Sequence, residues 1–189
     1  MKNKGRLFVI SGPSGVGKGT VCRMLLSRND DLKLSVSATT RAPRTEDTEG
    51  VTYYFKSKPE FEKMIEESAF LEWAVYNGNY YGTPIAALEK ELENGISVIL
   101  EIEAQGALKV MEKRPDAVSI FIAPPDKEAL YERLKGRGTE GEEEISKRVK
   151  AAEWELEQKE KYDYIVVNDD LDTAVDAIEN IMKNEKEKM

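Results

Sequence analysis

Histidine is absent from all 189 residues, which excludes imidazole acid–base catalysis and histidine-held metal. Cysteine occurs once, at Cys22, so no internal disulfide can form. Its place in an apolar helical pattern reads as core rather than as a nucleophile. No apolar run approaches the ~20 residues of a membrane span. The opening MKNKG leads straight into an apolar strand with no signal-like stretch, so a cytoplasmic protein is the expectation. Positive charge is in short supply as well. Lys and Arg number 28 against 36 Asp and Glu, a net charge of −8 that argues against a general nucleic-acid or membrane surface. The shortfall is uneven, for residues 1–50 hold nine basic and five acidic side chains, +4, leaving −12 for the remainder. Such a distribution suits a small anionic ligand held in a cleft.

The positive region contains GPSGVGKGT at 12–20, with Gly12, Gly15, Gly17 and Gly19 set around Lys18. An apolar run, LFVI at 7–10, precedes it as a buried parallel strand. Val21, Cys22, Met24, Leu25 and Leu26 follow at helical spacing. Strand, glycine-rich loop and helix form the context of a phosphate-binding loop, in which backbone N–H groups converge on an anion. The helix N-terminus adds partial positive charge and Lys18 a full one. A flexible glycine turn is the bland alternative. The usual Gly-Lys-Ser/Thr ending is altered here, because Gly19 follows Lys18 and the hydroxyl comes at Thr20. That spacing weakens the case for the loop itself ligating a metal.

A chain of this length is one domain and buries about 70% of its unfolded surface. Strands are expected at 32–37, 51–55, 70–76, 79–82, 96–102, 118–122 and 164–167. Ser57 and Glu60 form a capping-box pattern opening a helix to about 68. Asn77-Gly78 reads as a type I′ hairpin turn. Thr83 reads as the cap of a helix beginning at Pro84 and stopping at Gly95. Further helices are expected at 104–113, from 124 to about 135, from 142 with Ile145, Val149, Ala152 and Leu156 on one face, and after Asp169 or Asp170. The stretch 136–141, punctuated by glycine, is the lid candidate, and the tail 183–189 reads as frayed. Strands alternating with helices indicate an α/β, doubly wound parallel sheet, with residues 35–83 inserted as a compact mixed unit.

Several side chains suit anion chemistry. Arg41 and Arg44 flank Pro43 and can grip a phosphate bidentately, with Tyr53 and Tyr81 as phenolic donors; solvated loop charge and a half-buried sheet face are the plain alternatives. Glu101 and Glu103 close the most apolar strand, where ligands of open α/β sheets bind. Magnesium or a ligand N–H would satisfy one of them, unless Glu103 only caps the next helix. Arg133 and Arg137 bracket the lid stretch and Arg148 lies on the helix behind it, placed either for a moving phosphoryl group or for pairing with Glu142, Glu143 and Glu144.

Along its whole length the chain resembles the guanylate kinases. GPSGVGKGT, SVSATTRAPR at 35–44, FLEWA at 70–74, GNYYGTP at 78–84, ILEIEAQG at 99–106, IFIAPP at 120–125, LKGRGTE at 134–140 and VVNDDLD at 166–172 carry the likeness in order. The resemblance implies a phosphate-loop core over 1–34 and 84–189, a GMP-binding subdomain over 35–83, and a lid over about 126–158. It implies transfer of the γ-phosphoryl of ATP to GMP with Mg²⁺, dGMP being a further acceptor, by a monomer or homodimer. ATP would meet Gly12, Pro13, Ser14, Gly15, Val16, Gly17, Lys18, Gly19, Thr20 and Asn168. GMP would meet Ser37, Arg41, Arg44, Tyr53, Glu72, Tyr81, Thr83 and Glu103. Lys18, Arg41, Arg133, Arg137 and Arg148 would act on the transferring group, and Thr20 and Glu101 are the metal-ligand candidates, direct or through water. A catalytically silent scaffold domain would lack the loop or lid residues, and a GTPase would carry an Asn-Lys-x-Asp motif, which is absent here.

Overall fold

The computed structural model describes residues 4–76, 78–135 and 142–188. Its centre is β1 (Leu7–Ser11), buried along its entire length. Phe8 and Ile10 enter one apolar cluster and Leu7 and Val9 another, the two-residue alternation expected of a strand covered on both faces. Four strands join it in parallel: β2 (Leu32–Leu34), β7 (Ser97–Glu101), β8 (Val118–Ala123) and β9 (Tyr164–Val167), in the order β2-β7-β1-β8-β9. Helices α1 (Lys18–Arg28) and α7 (Leu171–Glu187) cover one face through Val21, Leu25, Val175 and Ile178. Helices α3 (Ile85–Glu93) and α4 (Ala104–Lys113) cover the other through Leu88, Leu92, Ala107 and Val110. This is the doubly wound parallel sheet that the alternating pattern calls for.

A second, mixed sheet in the order β4-β3-β6-β5 stands to one side. It comprises β3 (Ala38–Thr39), β4 (Tyr54–Phe55), β5 (Phe70–Tyr76) and β6 (Asn79–Pro84). Helix α2 (Lys58–Glu66) opens with the full reciprocal Ser57/Glu60 capping box and inserts Phe61, stacked 4.3 Å from Phe70 and 5.1 Å from Tyr80. Three aromatic rings thus replace a large aliphatic core in a unit too small to build one. Beyond β8, α5 (Lys127–Lys135) and α6 (Glu142–Glu157) pack through Leu130, Leu134 and Ala152, with Val149 and Leu156 beside them. No helix among the described residues is long and apolar enough to cross a membrane.

Several expectations are corrected. The strand expected over 32–37 stops at Leu34, because residues 35–37 cross from the parallel sheet to β3 in the second sheet, with the Ser35 N–H donating to the Ile99 carbonyl. The aromatic strand shortens to Tyr54–Phe55, joined by a single bridge between Glu49 and Tyr53. Thr83 does not cap α3; it lies within β6, and Pro84, the last residue of that strand, is the cap residue, with no side-chain bond. Of the hairpin turn, Asn77 lies outside the described residues and Gly78 has φ 76°. Asp170 caps α7, accepting from the Thr173 N–H.

The tail is helical to Glu187. Buried Glu185 accepts from Arg6 at 3.1 Å and from the Tyr164 hydroxyl at 2.6 Å, which ties the last turns to the sheet. Glu185→Ala strands both donors. A melt should show it unfolding roughly 4 °C lower, for about 1–2 kcal/mol in a domain of this length. An unchanged melting temperature would return the tail to a frayed end.

Candidate active site

The phosphate loop joins β1 to α1, and two of its glycines are sterically required. A side chain at Gly12, φ 150°, would begin 2.3 Å from the Ile122 carbonyl oxygen. At Gly17, φ 98°, it would begin 2.8 Å from the Asn168 amide nitrogen. Val16 is fully buried and anchors the loop, and its carbonyl accepts from Asn168 Nδ2 at 2.8 Å. Asn168 is held in turn by its own N–H on the Ala123 carbonyl, and its carbonyl lies 3.4 Å from both terminal nitrogens of Arg133. From α6, Arg148 donates to Ser14 Oγ at 3.1 Å. Gly17, the cap residue of α1, makes no side-chain cap bond and the first turn carries no acid, which leaves that end of the helix open to an anion.

Lys18 spans the loop. Its ammonium donates to the Gly12 carbonyl at 2.5 Å and the Pro13 carbonyl at 3.4 Å, and lies 3.4 Å from Glu103 Oε1. Glu101, at the end of β7, has Oε1 3.5 Å from where a side chain on Gly19 would begin. Burial, with the Glu101 carboxylate accepting its hydrogen bond, pushes the Cys22 thiol far above its ordinary range, so it remains an unreactive core group. Thr20 Oγ1 accepts from Arg23 at 3.1 Å.

A cavity of about 450 Å³ opens between the two sheets, lined by Lys18, Ser37, Glu72, Tyr81, Glu101 and Glu103 among others. Glu72 Oε1 accepts from the buried Thr83 hydroxyl at 2.7 Å, the bond that diverts Thr83 from capping. Its Oε2 is turned toward Gly106. Burial raises the Glu72 carboxyl above its usual range, partly offset by the Thr83 bond. Close by, Arg41 lies 2.9 Å from Asp47 Oδ2 and over the ring of Tyr53, 5.3 Å from its centroid. Tyr53 makes an edge contact with Tyr81 at 5.9 Å. Asp47 also accepts from the Arg44 N–H at 2.7 Å, and the Arg44 and Arg41 bonds hold its carboxyl below the usual range.

One cavity thus collects Lys18, Ser37, Glu72, Tyr81, Glu101 and Glu103, with the Arg41–Tyr53 cluster at its side and Asn168, Arg133 and Arg148 around the loop. Arg137, with the rest of 136–141, lies outside the described residues. Some lining and supporting residues escape sequence reasoning, among them Gln105, Gly106 and Asp47. Gln105 and Gly106 line the cavity from the first turn of α4; both fall in the ILEIEAQG stretch, which carries the family likeness but gives them no role. Asp47 sits in an acidic turn whose charge looks merely solvated.

A family model described as Guanylate kinase matches residues 4–185. The chain belongs to the guanylate kinase family. Among its relatives it is 56% identical to the guanylate kinase of Caldanaerobacter subterraneus, over 98% of this chain and 90% of that protein. With the guanylate kinase of Halalkalibacterium halodurans it shares 53% identity over 97% and 90%. The crystal structure of guanylate kinase from Anaplasma phagocytophilum superimposes with a TM-score of 0.70 at 38% identity, covering 97% of this chain and 87% of that one. In this guanylate kinase the phosphate loop and the carboxylate-lined cavity share Lys18.

Proposed function

We propose that the cavity beside Lys18 holds the acceptor nucleotide, with the guanine base on Glu72 and the phosphate toward Arg41. As a guanylate kinase the chain is a nucleoside monophosphate kinase, transferring the γ-phosphoryl of ATP to GMP to give ADP and GDP. The observation that carries the assignment of sites is that one cavity joins the loop lysine to a buried, hydroxyl-pinned carboxylate. Guanine presents N1–H and the N2 amine side by side, and a carboxylate accepts from both. Thr83 spends its proton on Glu72, so the Ser37 hydroxyl is the donor left for O6. Tyr53, Tyr81 and Arg44 complete the phosphate end, and Glu103 reaches the base from the position just before α4.

ATP lies along residues 12–20 with its adenine toward Asn168. Arg133, Arg148 and, on the lid, Arg137 neutralise charge on the moving phosphoryl group and exclude water when α5 and α6 close. Residues 1–34 and 84–189 form the core, 35–83 the GMP-binding subdomain and about 126–158 the lid. No cluster of three or more acidic or thiol ligands exists among the described residues, so these offer no all-protein metal cage. Thr20 and Glu101 are two oxygen donors beside the loop, which fits Mg²⁺ held chiefly by ATP phosphates and water; it would supply charge neutralisation there.

A coupled assay of ADP release separates this reading from its rivals. GMP should be the best acceptor and dGMP should be used, since the residues named read base and phosphate rather than the sugar 2′ position. AMP and UMP should fall behind by on the order of a thousandfold, as for a site built to pair substrate N–H groups. Comparable turnover of AMP would remove Glu72 from the base site.

A further inference from the structure

Helix α4 carries in its first turn a glycine that the fold does not require. Gly106 is the third residue of the helix and lacks the positive φ seen at Gly12 and Gly17. Packing does not exclude a side chain there either. A Cβ on Gly106 would lie 3.5 Å from Ile102 Cδ1, 3.6 Å from Glu72 Oε2 and 3.8 Å from Ile102 Cβ, all ordinary contact distances. Alanine would fit without displacing a neighbour, and it would favour the helix over the unfolded chain. The glycine therefore costs stability, and its use lies in what it leaves uncovered.

What it leaves uncovered is one oxygen of Glu72. Oε1 is held by the Thr83 hydroxyl at 2.7 Å, whereas Oε2 faces Gly106. Glu72 and Gly106 line the acceptor cavity together, and both also line an adjoining cavity of about 420 Å³ that reaches Lys109 and Lys113. The missing methyl keeps α4 clear of the oxygen at this boundary. A methyl 3.6 Å from Oε2 would fill space through which an N–H donor must come to about 2.9 Å.

The order of groups along guanine says which donor that is. Its polar edge runs O6, N1–H, N2 amine. Ser37, assigned to O6 above, lies one step beyond the Ala38–Gly82 pair of β3 and β6, opposite Thr83. The edge therefore starts at Ser37 and Thr83, puts N1–H on the Thr83-held Oε1 and brings the amine to Oε2.

We propose that Gly106 is a specificity-determining residue of the acceptor site: its missing Cβ keeps Glu72 Oε2 open to the exocyclic amine of guanine. This rests on the assignment of Glu72 to the base and deepens it, giving each carboxylate oxygen its own donor. Position 106 is then one where the residue that best stabilises the helix is not the one that serves the substrate.

The test is Gly106→Ala in the full-length enzyme, assayed with ATP and with GMP or inosine monophosphate as acceptor. Loss of the amine bond should raise KM for GMP on the order of tenfold. Turnover and KM for ATP should stay within about twofold of the parent, as for a contact made equally in ground and transition states. Inosine monophosphate has O6 and N1–H but no amine. Its kcat/KM should change by less than about twofold, so the preference for GMP narrows. The variant should meanwhile melt about 2 °C higher, since alanine is the better helix residue. Higher stability with weaker GMP binding is a pairing that a packing role for the glycine would not produce. In a Glu72→Gln background the substitution should cost GMP less than about twofold more, because the oxygen it covers has been replaced by an amide nitrogen. An unchanged KM for GMP overturns the proposal, as do equal losses on the two acceptors. So does a lower melting temperature, or full multiplicative losses in the double variant. An unchanged GMP-to-AMP ratio in Glu72→Gln alone would overturn the base-site assignment itself, a failure visible before position 106 is touched.

Discussion

Lys18→Met should leave a folded enzyme whose kcat is lower by on the order of a thousandfold. The size follows from what the ammonium does in a transition state whose charge spreads over the moving phosphoryl oxygens. Neutralisation there is most of the catalysis, and it acts in a low-dielectric cleft where a full charge counts for more than in water. The ammonium donates to the Gly12 and Pro13 carbonyls and lies near Glu103, at the mouth of the loop. Methionine has similar length and volume, so the backbone path, set by Gly12, Gly17 and the Asn168–Val16 bond, is unaffected. The melting temperature should accordingly move little while turnover collapses. Near-normal turnover in the purified variant would refute the phosphate-loop assignment.

Glu72→Gln should invert part of the acceptor preference. Thr83 donates to Oε1, so a glutamine would keep its carbonyl on Thr83 and turn its amide N–H₂ toward the cavity. That amide would face the N1–H and N2 amine of guanine, donor against donor. Losing a charge-assisted bond and stranding its partners costs roughly 2–4 kcal/mol, about thirty- to a thousandfold in kcat/KM for GMP. Adenine presents a lone pair at N1, so AMP should gain relative to GMP even at poor absolute rates. An unchanged GMP-to-AMP ratio would refute the base-site role.

Two further readouts separate recognition from structure. The raised Glu72 carboxyl means that the native protein binds more protons than the unfolded chain between the ordinary carboxylate range and the raised value. Stability therefore falls as pH rises through that window, and glutamine removes the fall. The variant should melt no lower than the parent at neutral pH, which a structural role for the charge would not permit. GMP needs the carboxylate, so KM for GMP in the parent should rise as pH drops through the raised value. In the variant it should stay flat.

Much of the site is legible because its rules are local. A strand, a run of glycines, a lysine and a helix within twenty or so positions specify a loop that cradles phosphate, and the fold places Gly12 and Gly17 where no side chain fits. The Ser57/Glu60 box is equally short-range and forms as read. Where two local rules compete, sequence reasoning chooses wrongly. Thr83 before Pro84 satisfies the pattern for a helix cap, but a partner 11 positions away, Glu72, takes its proton. The lysine-rich tail looks solvated until Glu185 meets Arg6, 179 positions distant.

By itself, then, the chain's order of residues determined the alternating α/β architecture, the phosphate loop and membership of the guanylate kinase family. Periodicity, capping and glycine tolerance each involve residues within a turn or two of one another, so they can be read in line. Only the tertiary structure decided which acids and arginines share a cavity and which are held in reserve. It turned the acidic run after Arg44 into a clamp on Arg41, and it brought Arg148 to Ser14 across 134 positions. It also buried Glu155 among solvent-facing neighbours. Such pairings depend on how two sheets and a helical hairpin pack, and a charged side chain has the same letter in the sequence whether packing leaves it in water or seals it against another charge.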